Sequence, residues 1–521
     1  MSDAPGLAAR QAALAMLSGV LGRGRSLDHQ LDSLEGLATR DAGFARALVS
    51  QTLRHLGVLD AVVRHFVPKP PPPHKAGPAS EILLLGACEL LVLRTADHAA
   101  VNGANALAAK DKKAVHFKPL INAVLRRIAR EGVDVLVGLD WVRLSVPDWL
   151  WGRWREQYDG ETARRIAQAH LNEAPTDIVL KADAASFPES DGLFGRVRRL
   201  KAGGRIEAMA GFAEGDWWVQ DAAATLPANL LGDVRGRRVI DLCAAPGGKT
   251  MQLAAAGALV TAVEIDPVRA GRIRENLART GLCATIVEGD AREVQLTAPL
   301  VLVDAPCTAT GTIRRHPDLP WIKQAGDVTH ASAMAYEILE AGAAMVEPGG
   351  TLVFAVCSLE REEGEEQIAA FLSAHPEFSR APLSSDDVFG HGEWITPDGD
   401  LRTLPFHLGG MDGFYAARLK RSQTPQGIGD GQIHLAGVGG EQRRGQKAAA
   451  IAFPRPVQQH LELADIGVGG IVEHLVVAIE AGDAVHRLGV DGAGQAAREH
   501  AAVAHQILFP FHRAGRLFVQ L

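Results

Sequence analysis

Cysteine is scarce: five in 521 residues, and scattered. That excludes a disulfide framework and leaves each cysteine as core filler or chemistry. Long apolar runs are missing too. The best candidate, residues 82–93, is shorter than the roughly 18 residues of a membrane span and contains Glu89. The opening residues, MSDAPGLAARQAALAML, lack a basic region before a long apolar run, so no signal peptide is expected. A cytoplasmic protein with no membrane contact follows as the expectation, and no metal site is expected. Strong charge is absent as well. A net charge of −7 does not advertise nucleic-acid binding. Its distribution says more. Residues 1–135 carry 17 Lys and Arg against 12 Asp and Glu, while residues 136–420 carry 28 against 40. An RNA partner is permitted by the first segment and not demanded by the whole; solvated faces would give the same counts.

What is present fits a globular protein of two to four domains, with 47% apolar and 22% charged residues. Ala8, Ala12, Leu14, Ala15, Leu17 and Leu21, then Phe44, Leu48, Leu53, Leu56, Leu59 and Val63, recur at helical spacing. Four prolines at 70–73 make a stiff break. Helices resume over 79–95, 99–110 and 118–130, so residues 1–132 read as an all-helical domain. Residues 141–170 read as two further helices, with Pro147 at the first helical position. Residues 133–230 read as linker helices and a small α/β subdomain that recognises substrate. From 231 to 420, strands at 238–242, 259–264, 284–288, 299–304 and 351–357 alternate with helices, and 412–419 is a final strand. That alternation predicts a mostly parallel, seven-stranded sheet covered on both faces, a Rossmann-like architecture. Residues 421–521 hold no Trp, Tyr, Cys or Met and seven of the nineteen histidines. They read as an extension of weak fold signal whose truncation leaves activity unchanged.

The run from Arg238 to Thr250 is a strand, a glycine turn and a helix start. Glycine lets the backbone approach a ligand, and a helix start presents free amides. The turn Cys243-Ala244-Ala245-Pro246-Gly247-Gly248-Lys249 is neither a GxxxxGK[ST] phosphate loop nor a GxGxxG dinucleotide loop. Glu264 ends the second strand, where an acid can accept both ribose hydroxyls. Asp290 follows the third, where an adenine amino group would sit. Two such acids without a diphosphate loop fit S-adenosylmethionine better than NAD.

Two cysteines sit at comparable places. Cys307 follows the strand that ends at Asp304, and Cys357 ends the strand after it. A strand-end cysteine by itself is more often a small buried hydrophobe. Cys88 and Cys283 are assigned to core packing and Cys243 to the turn. Neighbouring strands would bring Cys307 and Cys357 to one sheet edge beside the cofactor, where ligands of open α/β sheets bind. Carbon 5 of cytosine is a poor nucleophile, and a thiolate added to carbon 6 activates it. A second cysteine can assist release, Asp304 can hydrogen-bond the base edge, and Lys249 can favour the thiolate. The base must be single-stranded or flipped out.

These residues resemble a known family. DLCAAPGGKT (241–250), DAPCTATGTIRRHPDLPW (304–321), VCSLEREEGE (356–365), DGFYAARL (412–419) and VQDAAATLPANLL (219–231) are similar to motifs of the Sun/RsmB branch of the NOL1/NOP2/Sun RNA cytosine-5 methyltransferases. FARALVSQTLRHLGVLD (44–60), HAAVNGANALAAK (98–110) and INAVLRRIAR (121–130) resemble the NusB-like RNA-binding domain. The resemblance implies Cys357 as the nucleophile and Cys307 as the cysteine that helps release the adduct. It implies cofactor contacts from the 243–249 turn, Glu264, Asp290 and Asp304, and an rRNA substrate; a monomer is the separate expectation. Val356 stands where the family usually has Thr, and Cys-Thr-Ala-Thr-Gly where Cys-Ser-Gly-Thr-Gly is usual. The strand 178–183 lacks the usual Arg and Asn. Two other readings stay open: the same chemistry on tRNA, and a non-catalytic RNA-binding assembly factor.

Overall fold

The computed structural model describes residues 6–423 apart from 182 and 183. The expectations for the extension from 424 onward lie outside the described residues. Helices Leu7–Arg23, Thr39–Arg54, Leu56–Phe66, Ala79–Leu91, Asp97–Lys110 and Lys118–Val137 pack around one core that includes Met16, Leu17, Leu48, Leu53, Leu83 and Leu125. Glu89, the charge that interrupts the apolar run, is buried there. It accepts from Nε of Arg10 at 2.8 Å, the pairing that a buried carboxylate needs.

Three helices rather than two follow: Trp141–Leu144, Asp148–Gln157 and Gly160–His170. Asp140 caps the first by accepting from the Arg143 amide at 3.1 Å. Pro147 is the N-cap of the second, not its first helical residue; its ψ of 153° is still extended. Four short strands then form an antiparallel sheet, β1 (Asp177–Leu180), β2 (Ser190–Phe194), β3 (Val197–Leu200) and β4 (Trp217–Val219), in the order β2-β3-β1-β4.

The larger sheet holds eight strands rather than seven: β5 (Arg238–Leu242), β6 (Leu259–Glu264), β7 (Thr285–Glu288), β8 (Ala298–Asp304), β9 (Val346–Val356), β10 (Phe378–Arg380), β11 (Leu401–Thr403) and β12 (Phe414–Arg421). The order β10-β12-β9-β8-β5-β6-β7 is continuous, and β11 pairs with β12 beside it. From β9 to β7 every pairing is parallel; β10, β11 and β12 pair antiparallel. In β8, Leu300 and Leu302 enter the core on one face, and Val301 and Val303 enter the core on the other. A strand buried on both faces reads as a continuous apolar run, which is what PLVLV is. The chain runs outward from β5 through β6 to β7, then returns to place β8 on the other side of β5. That reversal opens a crevice at the carboxyl ends of β5 and β8.

Candidate active site

The glycine turn lies at this reversal. β5 ends at Leu242, and Cys243 takes a left-handed φ of 59°. Gly247, at φ 101°, caps the helix Gly248–Ala255. A Cβ at Gly247 would lie 3.2 Å from the Ile273 side chain, so glycine meets both a backbone and a packing requirement there. Beneath the turn, Asp241 accepts from the Thr250 hydroxyl at 2.6 Å. Burial pushes its carboxyl up to about 7. Burial, with Asp304 and Glu264 nearby, pushes the Cys243 thiol up to about 12.

Around the turn is a cavity of about 750 Å³, large enough for a nucleoside-sized ligand. Of the residues singled out in the sequence, Cys243, Ala245, Pro246, Glu264, Asp290, Asp304, Cys307 and Cys357 line it. Ala244, Gly247, Gly248 and Lys249 do not; they build the turn behind the wall. Glu264 is 1% exposed and accepts from the Ala245 and Asp266 amides, both at 3.1 Å. Asp290 lies two residues beyond β7. Its partner Arg292, which donates from Nε at 3.0 Å, holds its carboxyl below the usual range.

Lys249 donates to Asp304 at 2.7 Å and sits 5.1 Å from the centre of the Phe414 ring. Burial works against its charge, but the Asp304 carboxylate outweighs burial and raises its pKa. A buried ammonium is thereby fixed behind the cavity wall, on the Asp304 that lines it.

The two cysteines meet. β8 and β9 are adjacent and parallel, with Asp304 opposite Ala355. The Sγ atoms of Cys307 and Cys357 are 3.5 Å apart. The Cys357 contact, then burial, raise the Cys307 thiol well above its ordinary value, so it holds its proton. Cys283, expected in the core, is instead exposed, in the turn between helix Pro267–Thr280 and β7. Two apolar residues near it, Leu282 and Ala284, take the packing positions.

Sequence reasoning missed the clamp that holds this pair. Glu363, fully buried, accepts from the Thr308 amide at 2.7 Å and the Thr308 hydroxyl at 2.6 Å. It also accepts from the Ser358 hydroxyl. Thr308 and Ser358 are the residues immediately after the two cysteines. Burial raises the Glu363 pKa, partly offset by these bonds. Also missed was the buried Arg314, which donates to Asp412 at 3.0 Å and to Asp221 at 2.5 Å. That joins the segment before the sheet, the loop after Cys307 and the start of β12. The helical domain reaches the site as well: Ser26 and Asp28 line the cavity, and the Leu27 amide donates to Asp318 at 2.8 Å. In the sequence Glu363 sits in the acidic run REEGEE and Arg314 in the basic stretch RRH, neither of which signals burial.

Comparisons with known proteins agree over most of the described chain. A family model described as 16S rRNA methyltransferase RsmB/F matches residues 228–420, and one described as the NusB family matches residues 7–130. Ribosomal RNA small subunit methyltransferase B of Pseudomonas putida is 35% identical over 453 residues, covering 81% of this chain and 100% of that protein. The protein of the same name from Pasteurella multocida is 34% identical over 443 residues, covering 80% of this chain and 96% of its own. A solved structure described as PH0851 shares the fold, with a TM-score of 0.64 at 22% identity, over 80% of this chain and 99% of that one. Among the described residues no helix is long and apolar enough to cross a membrane, and no cluster of metal-ligating side chains occurs.

Proposed function

The chain belongs to the RsmB/F family of 16S rRNA methyltransferases, and from that premise we propose that it methylates carbon 5 of a cytosine in 16S rRNA through a covalent adduct on Cys357. The observation that carries this reading is the pair of sulfur atoms, 3.5 Å apart, in the wall of the cavity that also holds Glu264 and Asp290.

The residues present suit S-adenosylmethionine. Glu264 keeps carboxylate acceptor capacity for ribose hydroxyls beyond what its two amide partners and the Arg269 guanidinium use. Asp290 supplies an acceptor further along the same wall. When bound, the cofactor offers a methyl group on a positive sulfur. The chain's own residues prepare the base to take it. Cys357, as thiolate, forms a bond to carbon 6 of cytosine, and the electron pair displaced from the ring double bond makes carbon 5 nucleophilic. Asp304 and Lys249 form a charged pair at the base edge, placed to hold a proton on the ring as charge develops. After transfer, carbon 5 gives up its proton to a base. The carbon 6–sulfur bond then breaks, and its electron pair leaves with the Cys357 sulfur. The protonated Cys307 thiol stands beside that sulfur and can give it a proton. The helical residues 1–132 supply RNA affinity, residues 133–230 shape substrate recognition, and a cytoplasmic monomer is the working form.

The test uses purified full-length protein, 16S rRNA and S-adenosylmethionine, with digestion of the RNA to nucleosides. 5-Methylcytidine is the expected product, absent with Cys357→Ala. Cys307→Ala is expected to lose turnover while accumulating an RNA adduct. Methylation by Cys357→Ala at the normal rate would refute the reading.

A further inference from the structure

A second cavity lies outside the catalytic one. About 330 Å³ in volume, it opens between helix Gly160–His170 and the loop 405–410. Its lining includes Arg165, Gln168, Asn172, Phe406 and Gly410. We propose that this groove receives a base of the RNA strand flanking the target cytosine. The inference rests on the reading of RNA as substrate and goes beyond it by assigning a nucleobase subsite.

Three features support it. The Arg165 guanidinium carbon lies 3.8 Å from the centre of the Phe406 ring, and both side chains line the groove. Planar groups of these two kinds stack nucleobases of any identity. Arg165 makes no ion pair with a carboxylate among the described residues; the groove's own carboxylate, Glu173, accepts from the Gln51 side chain instead. Gln168 follows three residues on along the same helix, and Asn172 lies just past the helix end. The Gln168 side-chain amide makes no hydrogen bond among the described residues, although it lines the groove. A free amide offers a donor and an acceptor to a base edge.

The location ties the groove to the catalytic cavity. Arg314 lines the groove, while Thr312 and His316, two residues to either side, line the catalytic cavity. Two residues of chain span at most about 7 Å, within reach of a neighbouring nucleotide. Gly410, at φ 122°, keeps the floor open: a Cβ there would meet Arg314 at 2.9 Å.

The experiment pairs protein and RNA changes. Binding of a single-stranded oligoribonucleotide containing the substrate cytosine is measured by fluorescence anisotropy, with a matching RNA made abasic at each flanking position in turn. On intact RNA, Phe406→Ala and the exposed Arg165→Ala should each raise Kd about 5- to 100-fold, the range of a lost stacked base. On RNA abasic at the occupied position the same variants should change Kd less than twofold. Equal weakening on every RNA, or none on intact RNA, overturns the inference. Normal methylation and binding by both variants removes this subsite alone. A wild-type protein that neither binds nor methylates RNA removes the functional reading too.

Discussion

Replacing Glu363 by alanine probes how the two cysteines are held together. Glu363 does not line the cavity, yet it bridges the residues that follow Cys307 and Cys357. The change leaves the buried Thr308 amide without its acceptor, and Thr308 and Ser358 lose a charged partner. Each buried group left unsatisfied costs about 1–3 kcal/mol. The Ser358 hydroxyl keeps one partner, because the Thr310 hydroxyl lies 3.3 Å from it. The net loss should therefore be about 2–5 kcal/mol, summing one orphaned amide and partial loss at two hydroxyls. The effect on chemistry should exceed the effect on folding. A shift of about 1 Å between reacting groups can cost about a hundredfold in rate. Glu363→Gln keeps one acceptor oxygen and should fall between the two. The assay is the rate of adduct formation with RNA containing 5-fluorocytosine, alongside thermal melting and S-adenosylmethionine affinity. The expected result is a large rate loss, a lowered melting temperature and unchanged cofactor affinity. A variant that forms adduct within threefold of wild type, with unchanged melting, would refute the clamp.

Further expectations follow from buried charge. Arg314→Met leaves Asp221 and Asp412 buried with Arg315 as their one remaining shared cation, so the loss should fall at or below the low end of the about 3–5 kcal/mol that breaking a buried pair costs; an unchanged melting temperature would contradict this. His170 is buried, and burial with Arg314 and Arg54 nearby depresses its pKa to about 3. The unfolded chain therefore binds the proton first, below about pH 6.5, and the stability that His170 contributes falls as pH drops from 7 toward 3. Asp241, raised to about 7, acts in the opposite direction over part of that window, so the test compares slopes. His170→Phe should lose less melting temperature between pH 7 and pH 4 than wild type does; equal slopes would show that His170 contributes nothing.

The parallel strands were legible because burial on both faces leaves an uninterrupted apolar run, as in PLVLV before Asp304. The meeting of Cys307 and Cys357 was legible because both follow such runs and consecutive parallel strands are often neighbours. The short edge strands were not. β10 and β11 have three residues each, too few for any period to show. Glu363 was hidden because REEGEE reads as a solvated acidic run, whereas the turn buries one of its acids completely. The Arg314 network joins residues 93 and 98 positions away, a separation no local pattern encodes. Cys283 misled because a lone cysteine is usually core, and only the tertiary turn exposes it.

The most direct test is where the RNA becomes attached. Protein trapped on 5-fluorocytosine RNA, digested with nuclease and protease and analysed by mass spectrometry, should carry the nucleotide mass on the peptide containing Cys357. The same mass on the Cys307 peptide, or trapping that survives Cys357→Ala, would contradict the account.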